Sequence, residues 1–181
     1  MLRPGDAAPP FVARPIFGLE QPVPPPPGSR PLVLCFVRDL ASPFSRAAMS
    51  AIQARYADFD REGFPLLVIT ATDLTQARDF GPRFHVLAPM VVDQDGSLHE
   101  RYQVPRDKAL WGTLRRLARP EGLRAALDAL QHGHGKPHRN VDRLSASFVI
   151  GADGRVAMAS YATSITDLPD LDALLQCARG R

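Results

Sequence analysis

Cysteine is nearly absent from this chain. The two that occur, Cys35 and Cys177, lie far apart, with no Cys-x-x-Cys pair. That spacing excludes a disulfide framework, a thiolate-held metal cluster and a local dithiol motif. No apolar run approaches the roughly 20 residues that a membrane-spanning helix needs, so a membrane is not an expected partner. The first residues also lack the basic-then-apolar profile of an export signal, and cytoplasmic residence is the expectation. Aromatic residues make up only 7% of the chain, and none interleaves with basic residues in a nucleic-acid-binding motif. Charge of one sign is scarce too: 22 Lys and Arg face 19 Asp and Glu, for a net +3. The excess is local, with ten Lys/Arg against four Asp/Glu between Arg101 and Arg143. This reads as the solvated side of an amphipathic insertion, and nucleic acid is not expected as a partner.

At 181 residues with 45% apolar content, the chain is long enough to bury a core as one domain, 1–181. The Ala-, Arg- and Pro-rich composition is compatible with a bacterial source. Proline is unevenly spread: ten of the 18 fall in residues 1–31 and mark a Pro-rich N-terminal arm. Within it, Pro24 to Pro27 form a stiff loop leading to the first core strand.

Leu32 to Val37 is six apolar residues in a row, the pattern of a strand covered on both faces. Ser42 and Pro43 then suit the N-cap and first position of a helix spanning 43–61 that Gly63 ends. Phe44, Ala48, Ile52, Tyr56 and Phe59 mark its buried side. The turn between them offers a helix N-terminus, with its free N–H groups, at the end of a central strand. Chemistry in open α/β sheets is usually placed there. Leu66 to Thr70 is a second buried strand, and Asp73 caps a short helix, 74–80, expected to stop at Gly81-Pro82. A strand follows before Asp93-Gln94-Asp95-Gly96, then a helix ending at Tyr102-Gln103-Val104. Ala109 to Leu117 and Glu121 to Gln131 read as two helices, and residues 131–138 as a loop. Ser147 to Ala159 is a β-hairpin turning at Ala152-Asp153-Gly154. An amphipathic helix from Leu168 to Ala178, opened near Asp167 and Pro169, closes the chain.

Three of these segments carry a resemblance. Gly5-Asp6-Ala7-Ala8-Pro9-Pro10-Phe11, Ser42-Pro43-Phe44-Ser45-Arg46 after its strand, and the turn-helix-Tyr-x-Val unit at 93–104 stand in the order found in the peroxiredoxin-like (AhpC/TSA) branch of the thioredoxin superfamily. The hairpin at 147–159 is similar to a fourth segment of that branch. The resemblance covers about residues 5–104 and 140–178. It implies an α/β domain of thioredoxin-like fold: a central mixed sheet flanked by helices, with a helical insertion at about 105–140. It also implies thiol-dependent peroxide reduction and a habit of dimerising, hence a homodimer. Many members have Cys-Pro-x-Cys-Arg at the strand–helix corner; here both cysteine positions are serine. In the broader pattern Pro-x-x-x-Thr/Ser-x-x-Cys, Ser45 takes the peroxidatic cysteine's place, Ser42 the Thr/Ser and Arg38 the proline. Thioredoxins proper place a cis-proline just before the hairpin, where this chain has Leu144 to Ser147.

A peroxidatic thiol works because a helix N-terminus and a nearby arginine favour the thiolate. A serine hydroxyl is not ionised by the same surroundings and has no sulfenic state. Asp39 is the one carboxylate in the corner, and it reads as a turn or capping residue. The expectation is therefore a family member without thiol peroxidase chemistry at this corner. Ser42 and Ser45 then either satisfy backbone N–H groups of the first helical turn or, with Arg38 and Arg46, line a pocket for a small polar or anionic ligand or a protein partner. Taken singly, each arginine reads as a surface charge. Two alternatives stay open. One is an antioxidant oxidoreductase using Cys35 or Cys177, although Cys35 falls mid-strand, where a thiol is normally inert. The other is a recruited non-redox enzyme in which the Ser/Arg corner works, alone or with a histidine such as His138. His132, His134 and His138 also have the spacing to hold a metal ion, but no carboxylate or cysteine completes the set. No cofactor is called for.

Overall fold

The computed structural model describes residues 1–106 and 143–180. Within them the chain forms β1 (Phe11–Ala13), β2 (Gln21–Val23), β3 (Leu32–Val37), α1 (Pro43–Arg61), β4 (Leu66–Thr70), α2 (Leu74–Arg83), β5 (Met90–Val92), α3 (Ser97–Arg101), β6 (Ala146–Ile150), β7 (Val156–Tyr161) and α4 (Leu171–Ala178). Five strands form one sheet in the order β5-β4-β3-β6-β7, with β3 at its centre. β3 runs parallel to β4 and β4 to β5, while β6 is antiparallel to both β3 and β7. The sheet is therefore mixed, and the architecture is thioredoxin-like.

The unbroken apolar run of β3 has the consequence expected of it. All six residues are buried, and the pleat sends them alternately to two cores. Val33, Cys35 and Val37 join Leu66, Val68, Val149, Ile52, Phe59 and Leu174 beneath α1 and α4. Leu32, Leu34 and Phe36 pack with Tyr102, Phe148 and Val156 on the opposite face. The Pro-rich arm covers that second face: β1 and β2 pair as an antiparallel ribbon, and the Ala8 N–H bonds to the Gly154 carbonyl at 2.9 Å.

Three boundaries differ from the sequence expectation. α2 does not stop at Gly81-Pro82 but runs to Arg83 with Pro82 in its last turn. The missing proline N–H removes one bond there, and the Phe84 N–H closes the turn on the Phe80 carbonyl at 3.0 Å. α4 opens at Leu171, capped by Asp170, whose carboxylate accepts from the Ala173 N–H at 2.9 Å. Asp167 is occupied elsewhere, accepting from the backbone N–H groups of Thr163 and Ser164. The hairpin forms where expected, its second strand continuing to Tyr161. The helices expected at 109–117 and 121–131, and His132, His134 and His138, lie outside the described residues. A bridge between Arg106 and Arg143 joins the chain on either side of them.

Candidate functional site at the β3–α1 corner

The corner is held from below by the end of β4. The Thr70 hydroxyl donates to the Arg38 carbonyl at 3.0 Å, and the Thr72 hydroxyl accepts from the Leu40 N–H at 2.6 Å. Thr72 also donates to Asp39 Oδ1 at 3.3 Å, and that same oxygen accepts from the Ala41 N–H at 2.8 Å. Asp39 is fully buried and is the turn residue its position suggested. The two threonines were not read as part of the corner. The only hint was a hydroxyl-rich ending, Thr70-Ala71-Thr72, after an apolar strand.

Of the four residues picked from the sequence, Arg38 and Ser42 are the pair that the described contacts bring together. Ser42 stands at the N-cap with extended backbone, but its hydroxyl caps nothing; it accepts a hydrogen bond from Arg38 Nη2. Ser45 is 2% exposed, and its hydroxyl has no hydrogen-bond partner among the described residues. The expectation that both serines satisfy backbone N–H groups of the first turn is therefore corrected. Arg38 already competes for one hydroxyl, and the helix turns the other toward the core. Arg38 is also no surface charge, being 9% exposed with its guanidinium over the Phe44 ring.

Arg46 makes a different set of contacts. Its Nε donates to the Leu40 carbonyl at 2.7 Å, and its Cζ lies 5.7 Å from the Phe80 ring centre and 5.4 Å from that of Phe84. Partial burial lowers its pKa, and the nearby Arg83 lowers it further, against the pull of Asp39. On this side of the corner two cavities open between α1 and α2. One of about 410 Å³ is lined by Leu40, Arg46, Gln76, Asp79, Phe80, Arg83 and Phe84. The other, about 330 Å³, shares Arg46, Phe80 and Phe84 and continues along Met49, Ala54 and Val86. Neither serine lines them. The α2 residues of this site went unread because they belong to a different element, brought beside Arg46 only by the β3–β4 pairing.

Neither thiol is near the α1 N-terminus. Cys35 is buried in β3 opposite Ser147 of β6, and burial pushes its pKa up to about 12 although a hydrogen bond with Ser147 works the other way. Cys177 lies half-buried near the C-terminal end of α4, its pKa also raised by burial.

A second polar cluster, unread in the sequence, sits at α3. His99 Nδ1 donates to Asp93 Oδ2 at 2.5 Å, and both side chains are buried. Burial works against the Asp93 charge, but the hydrogen bonds from the His99 ring and from the Leu98 and His99 N–H groups outweigh it and hold the carboxyl at about 2. His99 Nε2 has no hydrogen-bond partner among the described residues. No group of metal-ligating side chains forms among the described residues either.

A five-stranded mixed sheet, a helix opening at the end of its central strand and a Pro-rich arm across one face define a peroxiredoxin-like protein of the thioredoxin superfamily. The AhpC/TSA family profile matches residues 4–159, and the chain belongs to that family. In structure it is similar to the peroxidoxin BcpB of Mycobacterium tuberculosis, with a TM-score of 0.68, 15% identity and coverage of 99% of this chain and 98% of that one. It is also similar to a cysteine-to-serine mutant of peroxiredoxin 6 from Arenicola marina, with a TM-score of 0.67, 14% identity and coverage of 99% and 73%. The bacterioferritin comigratory protein of Xanthomonas campestris, described for its alkyl peroxide reduction activity, gives a TM-score of 0.65 at 17% identity over 94% and 90%. None of the curated proteins matches the sequence.

Proposed function

We propose that this protein has given up thiol peroxidase chemistry at the β3–α1 corner and keeps the corner as a binding site for a small polar or anionic ligand or a partner protein. The observation that carries the reading is the mismatch between thiol and electrostatics. The helix N-terminus and Arg38 stand beside serines, while Cys35 is a core residue with its pKa pushed up to about 12. A thiol in that state presents almost no thiolate at neutral pH. Cys177 lies near a helix C-terminus, where the exposed carbonyls disfavour a negative sulfur. Serine catalysis would need a base, and the Asp39 carboxylate is engaged by Ala41 and Thr72.

Binding is supported by the cavity beside Arg46, which sets the polar groups of Arg46, Gln76, Asp79 and Arg83 against the apolar Leu40, Phe80 and Phe84. No helix among the described residues is long and apolar enough to cross a membrane. The composition and the family resemblance support a bacterial cytoplasmic protein that forms a homodimer. The test is thermal unfolding with phosphate, sulfate and acetate. Stabilisation that is lost in Arg46→Ala supports a binding corner; no shift with any of them, in a correctly folded protein, contradicts it.

A further inference from the structure

The two cavities between α1 and α2 share one charged wall, and its composition narrows the ligand. Phe80 and Phe84 lie with ring centres 4.4 Å apart. Arg46 reaches both, and Arg83 Cζ lies 5.6 Å from the Phe84 centre. Arg46 and Arg83 thus both approach the Phe84 ring, and their like charges repel, so a negative group beside them would be favoured. Asp79 lines the same cavity, so its described lining holds two cations and one anion. The adjoining cavity is a strip of Met49, Ala54, Phe84 and Val86, with Ser50 and Gln53 as the neutral polar groups beside Arg46 among its described residues. Phe84 is 39% exposed at the junction, a large apolar side chain left facing solvent.

We propose that this groove binds an amphipathic organic anion, its carboxylate between Arg46 and Arg83 and its flat or linear apolar body along Phe84, Met49 and Val86. Neither half of the groove accounts for such a ligand alone. The charged half attracts any anion, and the apolar half holds any hydrocarbon of matching size. Their continuity through Phe84 selects a molecule with both parts. The inference rests on reading the corner as a binding site and names the class of ligand; it assigns the contact to α2 residues absent from the serine corner itself.

The test is isothermal titration of the full chain with 1-naphthoate, alongside its neutral counterpart 1-naphthylmethanol and acetate. Saturable one-to-one binding of 1-naphthoate is expected, tighter than either control. Arg83 and Asp79 are exposed, so each charge contributes up to about 1 kcal/mol, about fivefold in affinity. Arg83→Gln should weaken 1-naphthoate by up to about that factor, and Asp79→Asn should tighten it. The opposite sign for Asp79→Asn is the stricter readout, because a variant that merely damages the fold does not bind better. Equal binding of 1-naphthylmethanol, equal binding of acetate, or weakening by Asp79→Asn would each overturn the proposal. If phosphate still stabilises the protein through Arg46 while 1-naphthoate does not bind, this inference fails and the binding corner stands. If no anion acts at all, both fail.

Discussion

The guanidinium of Arg38 holds the hydroxyl of Ser42, four residues on, at the point where β3 becomes α1. The helix therefore begins without a side-chain cap although a good capping residue occupies the position. A double-mutant cycle should show the pairing. Ser42→Ala and Arg38→Gln, measured singly and together by urea unfolding, are expected to be non-additive by about 1 kcal/mol. Additive effects would mean that the serine acts on the helix alone.

Ser45 supplies the converse case. Its buried hydroxyl has no partner among the described residues, so the cost of desolvating it is not offset there. Ser45→Ala should be neutral or raise stability by up to about 1 kcal/mol, where loss of a capping serine would lower it by a similar amount. Thermal or urea denaturation decides the sign.

These two residues also mark how far the sequence could be read. The strand Leu32–Val37, the helix starting at Pro43 and the sheet's hairpin were legible because continuous burial, capping chemistry and a Gly turn are local signals. The fate of the serine hydroxyls was not, since it depends on where the Arg38 side chain goes and on how deep the first helical turn sits. The Arg83 and Phe84 side of the groove was hidden for a related reason. It is built by packing two helices that the sequence separates by a strand, and the expected stop at Gly81-Pro82 placed Arg83 outside the helix that carries it.

Acid stability should report the Asp93–His99 pair. The Asp93 carboxyl sits at about 2 in the folded protein against a usual 3.8, so its contribution is fully present above about pH 4 and is lost as pH falls toward 2. That contribution is on the order of 2 kcal/mol. Asp93→Asn should lower stability at neutral pH and flatten its decline below pH 4, followed by urea unfolding across pH 2–7. An unchanged pH profile would remove Asp93 from the account.

Gly96 should resist substitution. Its φ is +76°, and a Cβ there would come 2.7 Å from Nη2 of the buried Arg143, which donates to Glu100 Oε1 at 2.8 Å. Gly96→Ala combines left-handed backbone with displacement of a buried cation, and a loss of at least about 1–2 kcal/mol is expected. A melting temperature within a degree of the parent would contradict the packing.

Thiol accessibility follows from burial. Iodoacetamide labelling of the native protein, read by mass spectrometry, should modify Cys177 slowly and leave Cys35 untouched until denaturant is added. Rapid labelling of Cys35 in the folded state would mean that β3 opens at low cost.

The most direct measurement is peroxide consumption by the reduced protein with dithiothreitol or a thioredoxin system, beside the Cys35→Ser/Cys177→Ser double variant. No turnover above that of the variant is expected, because the only thiols lie away from the helix N-terminus that would activate them. Turnover that disappears in the variant would make one of those cysteines the nucleophile, and the corner of Arg38, Ser42, Ser45 and Arg46 would no longer define what the protein does.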